Sequence, residues 1–270
     1  MSDEPRAVYT HGHHESVLRG HRRRTAQDSA GYLLPQLRPG LSVLDIGCGP
    51  GTITADLAAL VAPGEVTAVE VTDDALNLAR AEAQRREVSN ISFVTADVHA
   101  LEFPDDTFDV VHAHQVLQHV ADPVQALREM RRVCVPGGVV AVRDADYAGF
   151  IWYPQVEALD RWLRLYTEAA RANGGEPDAG RRLLSWASQA GFDDITPTAT
   201  MWCYATEETR DWWGGMWADR ILHSDLARQL EQSGLATRAD LEEISSGWRQ
   251  WSAASDGWFA IPNGEILCRA

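Results

Sequence analysis

Three glycines at alternate positions, Gly47, Gly49 and Gly51, follow a short apolar run and precede a helical pattern. Glycine lets a backbone approach a ligand closely, and the free N–H groups of a first helical turn face whatever binds there. An acidic residue, Asp45, stands two positions before the first glycine. This stretch therefore predicts a strand, a tight loop and a helix N-terminus that meet a ligand.

The spacing of the glycines helps to distinguish between the ligands that such a loop could bind. Such loops serve dinucleotides, nucleoside phosphates and S-adenosylmethionine alike, but a dinucleotide fingerprint has the form G-x-G-x-x-G/A. Here the glycines alternate as G-x-G-x-G, and the carboxylate of Asp45 would repel an anionic pyrophosphate. A ligand that carries a sulfonium and an α-amino group tolerates or uses that carboxylate.

Two further acids follow the next two predicted strands. Glu70, with Val71 after it, ends one strand, and Asp97, with Val98 behind it, ends the other. Open α/β sheets bind ligands at the carboxyl ends of their strands. Each acid alone would more often be a solvated loop charge. Together they favour a nucleoside, with Glu70 accepting from the ribose hydroxyls and Asp97 from the adenine amine.

Strands alternate with helices from the first glycine loop to residue 146, which predicts βαβ units and a parallel sheet covered on both faces. An amphipathic helix is predicted over Thr25–Leu37, before the first strand. The predicted strands are 41–46, 66–71, 91–96, 108–113 and 139–143, and the predicted helices begin at Thr52, Asp73 and Pro123.

All ten tryptophans lie at or after Trp152, so the second half of the chain is unusually aromatic. We divide the chain into an N-terminal segment or flap (1–40), a ligand-binding core (41–146) and a Trp-rich substrate or lid region with the closing strands (147–270). Two further strands are predicted at 195–204 and 257–269. Residues 207–256 form an insertion between them, and such insertions often form lids.

Four motifs now carry a family resemblance. VLDIGCGPGT (43–52), AVEVTDDAL (68–76), TADVHALEFPDDTFDVVHAHQVLQHVADP (95–123) and LREMRRVCVPGGVVAV (127–142) occur in order. Over residues 40–145 the chain resembles class I S-adenosylmethionine-dependent methyltransferases, in the small-molecule group of ubiquinone/menaquinone-biosynthesis C-methyltransferases. The segment YTHGHHESVLRGH (9–21) also resembles a fungal subgroup that S-methylates dithiols of secondary metabolites.

The resemblance implies an α/β fold with a doubly wound, seven-stranded, mostly parallel sheet and a helical lid insertion. S-Adenosylmethionine would be the cofactor and S-adenosylhomocysteine the product. In the implied donor site, the glycine loop lies under the methionine part of S-adenosylmethionine. Glu70 holds the ribose, and Asp97 with Val98 holds the adenine. The residues of this site are Asp45, Gly47, Cys48, Gly49, Gly51, Glu70, Val71, Asp97, Val98 and His114.

A methyl group on a sulfonium is already activated, so the protein mainly aligns the acceptor, excludes water and, where needed, removes a proton. Histidine titrates in a range that suits a phenol or a thiol. The candidate catalytic residues are His114, His119 and His14, although His119 could equally serve packing. The candidate substrate contacts are Tyr9, His13, Trp152 and Trp213, although many of the tryptophans must be core.

Composition limits the partners. The net charge of −15 disfavours nucleic acid and anionic membranes, and the chain has no lysine, which excludes Schiff-base chemistry on that residue. Four dispersed cysteines favour a reduced, cytoplasmic protein without a metal site. The expected partner is a small-molecule acceptor, and a homodimer is left open. The alternatives are a non-catalytic S-adenosylmethionine-binding module and a nicotinamide-dependent oxidoreductase.

Overall fold

A mixed β-sheet forms the centre of the computed structural model, which describes residues 20–270. The strands are β1 Val43–Ile46, β2 Val66–Glu70, β3 Ile91–Thr95, β4 Phe108–His114, β5 Cys134–Ala145, β6 Ile151–Tyr153, β7 Ile195–Tyr204 and β8 Trp258–Arg269. They run in the order β3-β2-β1-β4-β5-β8, and β7 pairs with the edge of β8 that faces away from β5. The first five strands are parallel and β8 is antiparallel to β5.

Nine α-helices lie entirely within residues 20–270, and residues 20–21 are helical as well. They are α1 Ala26–Ser29, α2 Thr52–Val61, α3 Asp73–Arg85, α4 Pro123–Val133, α5 Glu157–Ala172, α6 Leu183–Gln189, α7 Glu207–His223, α8 Asp225–Gln232 and α9 Arg238–Ala253. Short 3-10 helices occur at Leu34–Gln36, Leu117–His119, Tyr147–Gly149 and Gly180–Arg182.

Helices cover both faces of the sheet. Val43 packs in a cluster with Leu57 of α2, whereas the next residue, Leu44, packs in a cluster with Leu127 of α4 on the opposite face. All four residues of β1 are buried for this reason. The predicted α/β, doubly wound class is therefore confirmed.

The sheet has eight strands rather than the seven that the resemblance implies. The additional strand, β6, is three residues long and pairs with β8 at residues 258–260. Since β7 pairs with β8 over residues 259–268, β6 must share the other edge of β8 with β5. It therefore extends that edge and leaves the order of the other strands unchanged.

The prediction of one helix over residues 25–37 is wrong. Helix α1 ends at Ser29, and the following turn leads into the 3-10 helix Leu34–Gln36. Pro35 prevents one continuous α-helix over this range, because it has no N–H to donate to the carbonyl of Gly31 and its ring would clash with that carbonyl. The predicted apolar face survives, since Ala26, Ala30 and Leu33 are buried.

Helix α5 and the three helices between β7 and β8 form a second apolar cluster at the carboxyl end of the sheet. Four tryptophans are fully buried there, namely Trp162, Trp217, Trp248 and Trp251. Helices α7 and α9 pack against each other, and α5 packs against α9. The predicted insertion is thus a packed helical layer beside the strand ends. No helix within residues 20–270 combines the length and the apolar composition that a membrane span requires.

Candidate active site

The glycine loop joins β1 to α2 in left-handed backbone conformations. The φ angles of Gly47, Gly49 and Gly51 are 67°, 53° and 80°, a region that favours glycine. A Cβ on Gly47 would lie 2.5 Å from Cγ2 of Val116, whereas a Cβ on Gly49 would meet nothing within 4 Å. Gly47 therefore permits close packing, and Gly49 leaves open space where a ligand could approach the backbone.

Gly51 has a different role from the predicted ligand contact, which we correct. It does not line the cavity described below, unlike Gly47, Cys48 and Gly49. A Cβ on Gly51 would lie 2.8 Å from Cα of Ala79, so this glycine lets α2 start against the backbone of α3.

Asp45 lies beneath the loop and is buried. Its Oδ1 is 2.7 Å from Nδ1 of His112, and its Oδ2 accepts a hydrogen bond of 2.6 Å from the hydroxyl of Thr54. Because both oxygens are engaged inside the protein, the carboxylate holds β1, β4 and α2 together, and Asp45 also lines the cavity described below. The sequence interpretation missed His112, although the pairing of Asp45 with His112 follows once β1 and β4 are neighbours.

The two strand-end acids lie at the same edge as the loop. Oε1 of Glu70 accepts a hydrogen bond of 2.8 Å from the N–H of Gly49, and Oε2 accepts one of 3.2 Å from the N–H of Val71. Oδ1 of Asp97 accepts a hydrogen bond of 2.9 Å from the N–H of His99. Val71 is exposed and Val98 is buried beside Asp97. The structure thus brings together the residues that sequence reasoning assigned to a nucleoside.

One cavity of about 1920 Å³ joins this edge to the helical layer. At one end it is lined by the glycine loop, Glu70, Asp97 and Val98, and at the other by an aromatic chamber. We define the aromatic chamber by its ring-bearing residues, which are Tyr147, Phe150, Trp202, Tyr204, Trp212, Trp213 and Trp217. Sequence reasoning missed Tyr147, Phe150 and Tyr204, because no periodic pattern distinguishes them from core aromatics.

Of the two predicted tryptophan contacts, only Trp213 lines the chamber, where its ring stacks on Tyr204 at 4.5 Å between centroids. Trp152 does not line the cavity and stacks instead on Phe259 at 5.6 Å, inside the apolar cluster. The prediction for Trp152 is corrected, because β6 pairs with β8 and turns this side chain into the core. Tyr9, His13 and His14 lie outside the described residues.

His114 ends β4 between the two halves of the cavity. Its ring meets Trp202 edge-on at 5.7 Å between centroids, and neither ring nitrogen has a hydrogen-bond partner among the described residues. Burial, and then the charges of Arg24 and Arg143, hold the pKa of His114 well below its usual range. The imidazole is therefore neutral at physiological pH, able to donate one hydrogen bond and accept one, and a weak base.

His119 lies on the 3-10 helix that follows β4 and also lines the cavity. Burial lowers the pKa of His119 to about 3, so it too is neutral. Its Nε2 is 3.0 Å from the side-chain amide nitrogen of Gln118. Asp144, fully buried on β5, holds this 3-10 helix by accepting a hydrogen bond of 3.1 Å from the N–H of Gln118.

Asp144→Asn is expected to gain stability relative to the wild type as the pH rises. Burial raises the pKa of Asp144 from 3.8 to about 7 in the folded protein. The stability that this carboxyl group contributes is thus fully present below its pKa in the unfolded chain, and it is lost as the pH rises through its pKa in the folded protein. The free energy of unfolding of both proteins is measured in urea at about pH 4 and about pH 8. The difference between Asp144→Asn and the wild type should change by a few kcal/mol between these two pH values, on the order of 1.4 kcal/mol per pKa unit.

The histidines occur in both proteins, so their own titration cancels in this comparison. Asparagine keeps an oxygen for the N–H of Gln118, which preserves the 3-10 helix. An identical pH dependence of unfolding in both proteins would show that Asp144 titrates normally.

Comparisons with known proteins agree with this fold and identify the family of the chain. Residues 37–194 match the methyltransferase domain family. The chain is 36% identical to an uncharacterized methyltransferase of Schizosaccharomyces pombe, over 96% of this chain and 95% of that protein. It is 38% identical to a ubiquinone/menaquinone biosynthesis C-methyltransferase of Shewanella oneidensis, over 48% of this chain and 50% of that protein.

A solved structure shows the same fold at low identity. A phosphoethanolamine N-methyltransferase of Haemonchus contortus, in complex with phosphomonomethylethanolamine and S-adenosylhomocysteine, superposes with a TM-score of 0.55 at 18% identity. The match covers 86% of this chain and 49% of that chain.

An open α/β sheet with a glycine loop and acids at its strand ends defines a nucleotide- or nucleoside-binding enzyme fold. The chain belongs to the class I S-adenosylmethionine-dependent methyltransferases. The predicted resemblance is thereby confirmed, and family membership decides against a nicotinamide-dependent oxidoreductase.

Proposed function

We propose that this methyltransferase transfers a methyl group from S-adenosylmethionine to a small aromatic or thiol-bearing metabolite held in the aromatic chamber. The observation that carries the proposal is the continuity of the cavity. A single space of about 1920 Å³ reaches from the glycine loop and the strand-end acids to the aromatic chamber. Donor and acceptor can therefore meet without crossing a protein layer.

The residues at the loop end suit an adenosyl ligand. Gly47, Cys48 and Gly49 line the space with little side-chain bulk, and Gly49 faces open volume. Glu70 would accept hydrogen bonds from both ribose hydroxyls, Asp97 from the adenine amine, and Val71 and Val98 would contact the adenine faces. When bound, S-adenosylmethionine supplies a methyl group that its sulfonium has already activated.

The chain's own contribution at the acceptor end is orientation and exclusion of water. Trp202, Tyr204 and Trp213 present flat apolar surfaces that suit a planar acceptor. His114 is positioned to hold a hydroxyl, thiol or amine by a neutral hydrogen bond. Because burial keeps both His114 and His119 weakly basic, we propose that the acceptor reacts without full deprotonation by either ring. The identity of the acceptor atom is left open among oxygen, sulfur, nitrogen and carbon.

The compartment and the class of substrate are proposed from the sequence. We propose a cytoplasmic enzyme that acts on a small molecule rather than on nucleic acid or at a membrane. The net charge of −15 supports this view. A homodimer stays a prediction.

The proposal is tested by a screen with methyl-labelled S-adenosylmethionine. The purified chain is incubated with panels of aromatic and thiol metabolites, and release of S-adenosylhomocysteine and label in the acceptor are measured. We expect turnover with a planar acceptor and loss of it in Trp213→Ala, while the exposed-site variant Trp258→Ala stays active. Tight donor binding without turnover on any acceptor would instead indicate a non-catalytic S-adenosylmethionine-binding module.

A further inference from the structure

A buried ion pair lies behind the wall of the aromatic chamber. Nε of Arg143 on β5 is 3.1 Å from Oε1 of Glu265 on β8, and the two side chains are 1% and 2% exposed. Neither residue lines the cavity. The pair therefore has no direct contact with a ligand, and its role has to be read from its neighbours.

Hydroxyl groups of β7 fix the carboxylate. Thr198 donates a hydrogen bond of 2.8 Å to Oε2 of Glu265, and Thr200 donates one to Oε1. The hydroxyl oxygen of Thr200 in turn accepts from Arg143 at 3.3 Å. Both carboxylate oxygens are thus satisfied, which holds the guanidinium in one orientation.

The strand register explains how these side chains meet. His114, Arg143, Glu265 and Thr198 are paired in turn across β4, β5, β8 and β7. Residues paired across neighbouring strands point to the same face of a sheet. Four polar residues consequently form one row that begins at the cavity, at His114, and ends at the edge strand.

Trp202 lies over this row. The guanidinium carbon of Arg143 is 4.4 Å from the centroid of its indole ring. The indole N–H donates a hydrogen bond of 3.0 Å to the carbonyl of Asp28, and the ring meets His114 edge-on at 5.7 Å between centroids. Arg24, which lines the cavity, also has its guanidinium carbon 5.3 Å from the same centroid. The plane of Trp202, a wall of the aromatic chamber, is therefore held by Arg143, by Arg24 and by the hydrogen bond to Asp28, and of the two arginines only Arg143 lies outside the cavity lining.

A stabilising role alone does not account for such a pair. Taking two charges out of water costs several kcal/mol per ion, and an apolar pair of similar size is often as stable. One guanidinium N–H group of Arg143, at Nη1, also lacks a hydrogen-bond partner among the described residues. The pair is therefore weak evidence for added stability, whereas its contact with the ring of Trp202 is direct.

We propose that Arg143, held by Glu265, is a positioning residue for the acceptor, because it fixes the indole of Trp202 in the chamber wall beside His114. This inference rests on the proposed function of the chamber. It assigns a role in acceptor binding to Arg143, a residue that does not line the cavity. The same charge contributes, after burial and Arg24, to the low pKa of His114, so it also keeps the hydrogen-bonding imidazole of the chamber neutral.

Two variants separate the charge from the stacking. R143M/E265L removes the pair without leaving a buried lone charge, whereas R143K keeps the charge but loses the planar guanidinium. The protein is labelled with 5-fluorotryptophan, and the fluorine resonance of Trp202 is assigned from its absence in W202F. We expect this resonance to move in both variants while the resonances of distant tryptophans stay in place.

The chamber and His114 provide two further readouts. Binding of 2-naphthol, measured by calorimetry with S-adenosylhomocysteine present, should weaken by up to roughly tenfold in R143M/E265L, because the indole of Trp202 would then have to be ordered on binding. In a carbon-13 NMR titration, the pKa of His114 should rise in R143M/E265L and stay low in R143K. The control R85M/E82L removes a surface ion pair on α3 and should change none of these values.

An unmoved Trp202 resonance together with unchanged 2-naphthol affinity in R143M/E265L would overturn the inference. If R143M/E265L does not fold, R143K decides by the same fluorine resonance. Affinity for S-adenosylhomocysteine should be retained in every variant. Its absence from the wild type would count against the proposed function itself, and not against the role of Arg143.

Discussion

Glu70→Ala should weaken S-adenosylmethionine binding by about 1–3 kcal/mol, the cost of removing one partner of a polar contact. This corresponds to roughly 5- to 150-fold in the dissociation constant. The side chain bonds to the N–H groups of Gly49 and Val71, so it stands at the junction of the glycine loop and the second strand end. Its loss would remove the acceptor for the ribose and also release the loop. Calorimetric titration with S-adenosylhomocysteine measures the change.

The matched control is Glu65→Ala, which removes an exposed carboxylate at the opposite end of the same strand. It carries the same charge change and should bind the ligand as the wild type does. Asp97→Ala should produce a loss of similar size through the adenine alone. If Glu70→Ala and Asp97→Ala both bind S-adenosylhomocysteine normally, the assignment of the strand ends is incorrect.

Gly51→Ala is expected to destabilise the fold by about 2–4 kcal/mol, a combination of overpacking and left-handed strain. The added Cβ would lie 2.8 Å from Cα of Ala79, which is backbone and cannot rotate away. The φ angle of 80° adds strain for any residue with a side chain. Urea unfolding monitored by circular dichroism gives the free energy of unfolding.

Gly49→Ala serves as the comparison within the same loop. Its φ angle of 53° is also left-handed, but its Cβ would meet nothing within 4 Å. We expect a stability loss of only about 1–2 kcal/mol for this variant, with its main effect on donor binding, since Gly49 lines the cavity. Equal destabilisation by the two substitutions would contradict the packing role of Gly51.

That the glycine loop and the two strand-end acids lie at one edge of the sheet could be predicted from the sequence. Gly47, Gly49, Glu70 and Asp97 each stand at a strand end, and parallel strands bring their ends to one edge. The roles of Asp45 and Gly51 needed the structure, since both depend on what packs from another element. His112 engages Asp45 from a neighbouring strand, and Ala79 approaches Gly51 from α3.

The aromatic half could not be predicted residue by residue. Trp152 and Trp213 are alike in type and in burial, yet one lies in the core and the other lines the cavity. The difference arises from the pairing of β6 with β8, a contact between segments more than a hundred residues apart. The ion pair of Arg143 and Glu265 likewise joins β5 to β8, and helical or strand periodicity carries no signal of such a pair.

A crystal structure of the chain with S-adenosylhomocysteine would show where the donor binds. We expect the ribose hydroxyls at Glu70, the adenine beside Asp97 and Val98, and the sulfur facing His114 and the aromatic chamber. A ligand bound away from the glycine loop, or with its sulfur directed away from the aromatic chamber, would contradict both the donor site and the proposed function.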